Sequence, residues 1–127
     1  MESKRDQVFK CLKCGLMVEV LHSGAKPQCC GEQMELLVVN TVDASKEKHV
    51  PVLSSTALGV LVTVGEVDHP MTEAHYIEWI EVQNGEYVNR LYLSPGQLPR
   101  AEFYLHRQPG LVVRAYCNLH GLWKGEI

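Results

Sequence analysis

Five cysteines and six histidines constrain this chain more than any other feature, because nearly all of them fall into two metal-ligand groupings. Cys11-Leu12-Lys13-Cys14 is answered, after fourteen residues, by the vicinal pair Cys29-Cys30. The second grouping is scattered: His49, His69 and His75, then Cys117-Asn118-Leu119-His120 near the C-terminus. Four thiolates make a closed sulfur cage suited to a tetrahedral metal, either zinc or iron. Four imidazoles and one thiolate make a nitrogen-rich site with one soft ligand. A chain that carries both is expected to handle electrons.

Five thiols cannot all pair, so ligation is the first reading of the cysteines rather than a disulfide framework. The N-terminal run Met1-Glu2-Ser3-Lys4-Arg5-Asp6-Gln7 is polar and lacks the apolar region of a secretory signal, which leads us to expect a cytoplasmic protein. The longest apolar stretch, around Leu58 to Val64, is far too short to span a bilayer, so no membrane association is expected. A net charge of −3 gives no long-range attraction for nucleic acid, and any pull on an anionic substrate must be local.

Residues 1–37 read as a separate unit. They hold four of the five cysteines and the turn formers Gly15, Gly24, Pro27 and Gly31, with too few large apolar residues for a core. Such a segment folds around a bound metal. Val8-Phe9 and Leu16 to Leu21 look like short strands within it. From residue 38 to 127 the texture changes. The segments Leu36–Val39, Val50–Leu53, Leu58–Val64, Tyr76–Val82, Tyr87–Leu93, Ala101–His106 and Leu111–Cys117 are rich in β-branched and aromatic residues and bounded by turn formers. About seven short strands at this spacing predict a mainly β protein whose larger part is an antiparallel sandwich.

The two ligand sets differ in what they permit. A metal held by four thiolates carries a formal charge of −1 as ferric iron and −2 as ferrous iron, with every position filled. It can pass electrons or hold structure, and zinc would only hold structure. In the second set, His69 and His75 bracket a loop short enough to return both rings to one point, and Cys117 and His120 can share one turn. His22 and His106 sit in polar turn or strand-end contexts and are left out of it. The run Lys46-Glu47-Lys48, read alone, is an ordinary solvated loop next to His49.

Glu47-Lys48-His49-Val50-Pro51, His69-Pro70-Met71 followed by His75-Tyr76-Ile77-Glu78-Trp79-Ile80, and Cys117-Asn118-Leu119-His120-Gly121 with Trp123-Lys124 closely resemble the desulfoferrodoxins, two-iron superoxide reductases. Cys11, Cys14, Cys29 and Cys30 resemble the desulforedoxin-like iron domain of that family. The resemblance covers essentially the whole chain; Leu122 departs from it, and Leu98 to Gln108 is not distinctive. It implies an N-terminal desulforedoxin-like domain over residues 1–37 and an immunoglobulin-like sandwich over 38–127. It further implies two irons per chain, one on the four cysteines and one held equatorially by His49, His69, His75 and His120 with Cys117 axial.

Ferrous iron in that second set is formally +1, so the site draws a small anion into a net-negative protein. The trans thiolate favours giving an electron away, and the backbone N–H groups of Leu119 and His120 are placed to hydrogen-bond that sulfur. The family reaction is one-electron reduction of superoxide to hydrogen peroxide without oxygen release. Lys48 would supply local positive charge and orient a proton-donating water, and Glu47 would close onto the oxidised metal. A rubredoxin or a reductase is the expected electron donor and a homodimer the expected assembly. From the residues alone, a two-iron electron carrier without catalysis and a zinc-stapled interaction module remain the other readings.

Overall fold

The computed structural model of the chain describes residues 2–39, 49–65 and 68–126. The chain divides into two compact units, Met1–Val38 and Val39–Ile127.

The first unit is built from very short strands: β1 (Val8–Lys10), β2 (Met17–Glu19), β3 (Gln28–Cys29), β4 (Glu32–Gln33) and β5 (Glu35–Leu36). β2, β1 and β5 form one antiparallel sheet in that order, and β3 and β4 form a two-stranded ribbon. Its core is Phe9, Cys11 and Met34, with Val18, Val20 and Cys29 packed against them. Two of these six residues are thiols of the predicted sulfur cage. So small an apolar centre gives little stability by itself, as the composition of residues 1–37 leads one to expect.

The second unit is an antiparallel sandwich of seven strands: β6 (Pro51–Ser55), β7 (Val60–Val64), β8 (Ile77–Asn84), β9 (Tyr87–Tyr92), β10 (Arg100–Phe103), β11 (Val112–Cys117) and β12 (Gly121–Glu126). One sheet has the order β10-β7-β6 and the other β12-β11-β8-β9. Alternation along β7 sends Val60, Val62 and Val64 inward, where they meet Ile77, Ile80 and Val82 of β8 and Val113 and Ala115 of β11. On the four-stranded sheet, Arg90, Glu81, Arg114 and Lys124 form one cross-strand row. Within it, both Arg90 and Arg114 bond the fully buried Glu81 carboxylate.

Two elements depart from the sequence expectation. Leu36–Val39 contributes no strand to the sandwich; Glu35–Leu36 pairs instead with β1 in the first unit. The seventh sandwich strand is Gly121–Glu126, which was not foreseen, because its two glycines and single lysine dilute the β signal. Leu58 and Gly59 also fall outside β7. They form the turn from β6, closed by the Thr56 N–H on the Gly59 carbonyl at 2.8 Å.

The connections place one end of the sandwich under special constraint. In one sheet the start of β6 pairs with the end of β7 at Pro51↔Val64, and in the other the end of β11 pairs with the starts of β8 and β12 at Cys117↔Ile77 and Cys117↔Gly121. The edge strands β6 and β12 also adjoin. A Cβ on Gly125 would lie 2.6 Å from the Pro51 carbonyl oxygen, closer than real contacts permit. Glycine is therefore needed at 125 for the backbones to approach. Gly125→Ala should separate the two strands and destabilise the second unit by about 1–3 kcal/mol. Denaturant unfolding checks this, and native stability in the variant would show that the contact yields without cost.

Candidate metal centres

Cys11 closes β1, and Cys14 follows on the turn after it. The Cys14 N–H reaches the Cys11 sulfur at 3.5 Å, and the Leu16 N–H reaches the Cys14 sulfur at the same distance. The vicinal pair enters from the β3–β4 turn. Adjacent side chains normally diverge, and the chain resolves this by placing Cys30 at φ 53° and Gly31 at φ 78°. That left-handed turn costs a non-glycine residue about 1–2 kcal/mol, and it swings the second sulfur back toward the first. Cys14 and Cys29 sulfurs are 3.6 Å apart, and Cys29 and Cys30 sulfurs 3.8 Å. A tetrahedron with metal–sulfur bonds of about 2.3 Å has edges of roughly 3.8 Å, so the cage fits a tetrahedral metal. All four are free thiols.

The protons of this cage are unevenly held. Hydrogen bonding from the Cys14 backbone lowers the Cys11 pKa to about 6, whereas the bond to the Cys14 thiol pushes Cys29 up to about 12. Without metal the cage thus keeps protons on some sulfurs near neutral pH, and metal entry must expel them.

The second centre gathers at the constrained end of the sandwich. His49 precedes β6, His69 and His75 lie on the β7–β8 connection, Cys117 ends β11, and His120 sits in the β11–β12 turn. One ligand atom from each of the five lies within 4.8 Å of all the others. The ring centroids stand at the corners of a near-square. Its sides are His49–His69 at 4.6 Å, His69–His75 at 4.7 Å, His75–His120 at 4.9 Å and His120–His49 at 4.7 Å, with a His49–His75 diagonal of 6.4 Å. Neighbouring rings meet edge to face, at 69° to 80° between planes. His49, His69 and Cys117 are buried, His75 is half-buried and His120 is exposed, so the group reaches solvent on one side only.

Local hydrogen bonds prepare these ligands. His69 Nδ1 lies 2.7 Å from the Pro70 carbonyl, so Nδ1 carries the proton and Nε2 presents a lone pair. That Nε2 is buried with no hydrogen-bond partner, as expected of an atom awaiting a metal. Burial lowers the His69 pKa to about 4, so the ring is neutral and able to ligate across the physiological range. Burial raises the Cys117 thiol, and the backbone N–H groups of Leu119 and His120 oppose that rise by hydrogen-bonding the sulfur. The sequence reading anticipated both of these donors. The donor set and its spacing fit iron in a nitrogen-rich plane with one thiolate.

All nine predicted ligands fall into these two groups, and His22 and His106 are exposed and belong to neither. Glu47 and Lys48 lie outside the described residues. Two residues quoted in the sequence motifs were given no role there. Asn118 accepts a bond from the Tyr76 N–H and donates to the Ala74 carbonyl, both at 3.0 Å, and so clips the backbone on either side of His75 to the Cys117–His120 turn. Trp123 lies fully buried against His49. An asparagine inside a ligand turn is a usable signal for the first. The second stood within the Trp123-Lys124 part of the resemblance but received no role, because its strand was not foreseen.

A sulfur-only centre in a small unit and an imidazole–thiolate centre at the end of a sandwich define a two-metal, mainly β protein. Residues 3–37 match the N-terminal domain of desulfoferrodoxin, and residues 41–126 match the desulfoferrodoxin family. The desulfoferrodoxin of Syntrophotalea carbinolica is 57% identical over 122 residues, covering 94% of this chain and 95% of its own. The solved superoxide reductase of Treponema pallidum superposes with a TM-score of 0.73 at 32% identity, over 94% of this chain and 98% of that one. The superoxide reductase (1Fe-SOR) of Giardia intestinalis gives a TM-score of 0.54 at 35% identity, over 65% of this chain and 98% of that one. The chain belongs to the desulfoferrodoxin family. Its four-cysteine and four-histidine, one-cysteine groups match the two irons of that family.

The two centres use no common residue, which makes them separable. Cys14→Ser should abolish metal binding by the first group while the second still takes one iron per chain. Metal analysis with absorption spectra of the purified variant checks this. Loss of iron from both groups would show that the sandwich needs the small unit.

Proposed function

We propose that this chain is a superoxide reductase, converting superoxide, one electron and two protons to hydrogen peroxide at the centre formed by His49, His69, His75, His120 and Cys117. The observation that carries the reading is the near-square of imidazoles around a buried thiol, in a chain whose relatives include superoxide reductases. Iron bound there supplies one-electron reduction of a coordinated small molecule. The rest is the work of the protein. The four rings leave the solvent side to the substrate, and the Leu119 and His120 N–H groups temper the donor strength of the Cys117 sulfur. Burial of His49 and His69 keeps water from competing at the back of the site.

In this reading residues 1–37 form an electron-relay unit and residues 38–127 the catalytic one. Lys48 would add positive charge for the incoming anion and orient a proton-donating water, and Glu47 would be the carboxylate available to the metal. A rubredoxin-like carrier or a reductase returns the electron. A homodimer in the cytoplasm is the setting the family suggests. Among the described residues, no helix is long and apolar enough to cross a membrane.

A superoxide pulse against the reduced protein tests the reading. One hydrogen peroxide should appear per superoxide consumed, with no oxygen. Oxygen release would indicate dismutation, and an inert reduced site would leave an electron carrier. Lys48 offers a finer test. An ammonium about 6 Å from the anion is worth roughly 0.7 kcal/mol in bulk-like dielectric and roughly 3 kcal/mol at an effective dielectric near 20. Lys48→Ile should thus slow the second-order reaction by roughly threefold to a hundredfold, and rising salt should slow the native protein more than the variant. Equal rates at low salt would remove Lys48 from the reaction.

A further inference from the structure

The near-square of imidazoles needs something behind it to fix the planes of its rings, and one side chain touches two adjacent corners. Trp123 is fully buried on β12. Its ring stacks on His49 with centroids 4.6 Å apart and 15° between planes. Its Nε1–H donates to the His120 carbonyl at 3.2 Å. A buried indole N–H ordinarily requires such a partner, and here the partner is the backbone of a ligand. The fold makes room for this arrangement twice. The cross-strand partner of Trp123 on β11 is Ala115, whose methyl leaves space for an indole. Gly125, two residues on, lets β12 close on Pro51, two residues beyond His49.

We propose that Trp123 is a positioning residue of the metal centre, holding the His49 ring plane by stacking and the His120 turn by its hydrogen bond. The proposal rests on the reading of the five-residue group as the working iron site. Stacking at 15° prevents His49 from swinging about its Cβ without forcing the indole to move, and the indole is packed on all sides. The bond to the His120 carbonyl fixes the residue that ends the turn begun by Cys117. One side chain thereby ties the His49 ring to the turn that carries Cys117 and His120. His69 is held at its ring by the Pro70 carbonyl, and the backbone on either side of His75 is held by the Asn118 clip.

The test uses the full-length, iron-loaded protein. Trp123→Phe keeps a ring against His49 but loses the N–H, and Trp123→Leu loses both. The ferric electron paramagnetic resonance signal of the second iron reports ring orientation, and chelator challenge reports how firmly that iron is held. We expect the signal to shift in both variants. Iron loss should quicken several-fold in Trp123→Phe and about 10- to 100-fold in Trp123→Leu, the range for residues that orient metal ligands. A residue that merely filled the core would lower the melting temperature of the metal-free protein and leave the signal unmoved. An unchanged signal with native iron retention in both variants overturns the proposal. Should Trp123→Leu fail to fold, the same result in Trp123→Phe alone overturns it. A native protein that takes no iron at the five-residue group would overturn the underlying reading as well, and that result is visible before any variant is made.

Discussion

Convergence of four imidazoles and one thiol on a single point is the constraint to which the sandwich is built. Imidazole rings set edge to face at under 5 Å, two of them buried and a third half-buried, have little reason to assemble without a metal. Each brings a polar atom that a protein interior would otherwise hydrogen-bond. The arrangement is imposed by the strands: β6, β7, β8, β11 and β12 all begin or end at this pole, and the apolar residues between them lock their mutual register. Ligands on the ends of packed strands are held more firmly than ligands on long loops. The three that sit on connections, His69, His75 and His120, each receive a local restraint.

The two centres are electrostatic opposites, and this follows from ligand type alone. Four thiolates around a divalent or trivalent iron leave a net negative, coordinatively filled complex; four neutral rings and one thiolate leave ferrous iron net positive. An anion is repelled by the first and drawn to the second. The protein tunes each in a different way. In the sulfur cage, backbone N–H groups stabilise charge on Cys11 while the sulfurs share protons, so the cage without metal avoids assembling four negative charges. At the second centre, burial keeps His69 unprotonated and two backbone donors attend the single sulfur.

Ligand identity was legible in the sequence because metal chemistry restricts residue type and spacing so narrowly: Cys11 and Cys14, Cys117 and His120, and the short His69–His75 loop are local patterns. The sandwich was legible for the same reason of locality, through short runs of β-branched and aromatic residues bounded by turn formers, with alternation in Tyr87–Leu93 and Leu111–Tyr116. What escaped depended on tertiary context. β12 reads poorly as a strand because Gly125 answers to a close approach from Pro51, more than seventy residues earlier in the chain, and Gly121 takes a left-handed φ of 85°. The left-handed Cys30 could be suspected only from the difficulty of two adjacent ligands. Trp123 and Asn118 act on His49, His120 and the backbone around His75, and no spacing rule relates those positions.

These unforeseen residues explain how a small sandwich can hold a five-ligand centre open on one side. Closed metal sites gain rigidity from a full set of protein ligands, whereas a site that leaves a face to solvent must find it elsewhere. Here it comes from contacts around the ligands: an indole against one ring, a carbonyl on another, an amide clip on the backbone beside a third, and backbone donors on the sulfur. Under the proposed reaction this restraint is what lets the site bind and release a small anion repeatedly without rearranging. The ligand set itself needs no reorganisation, because its restraints are in place before the anion arrives.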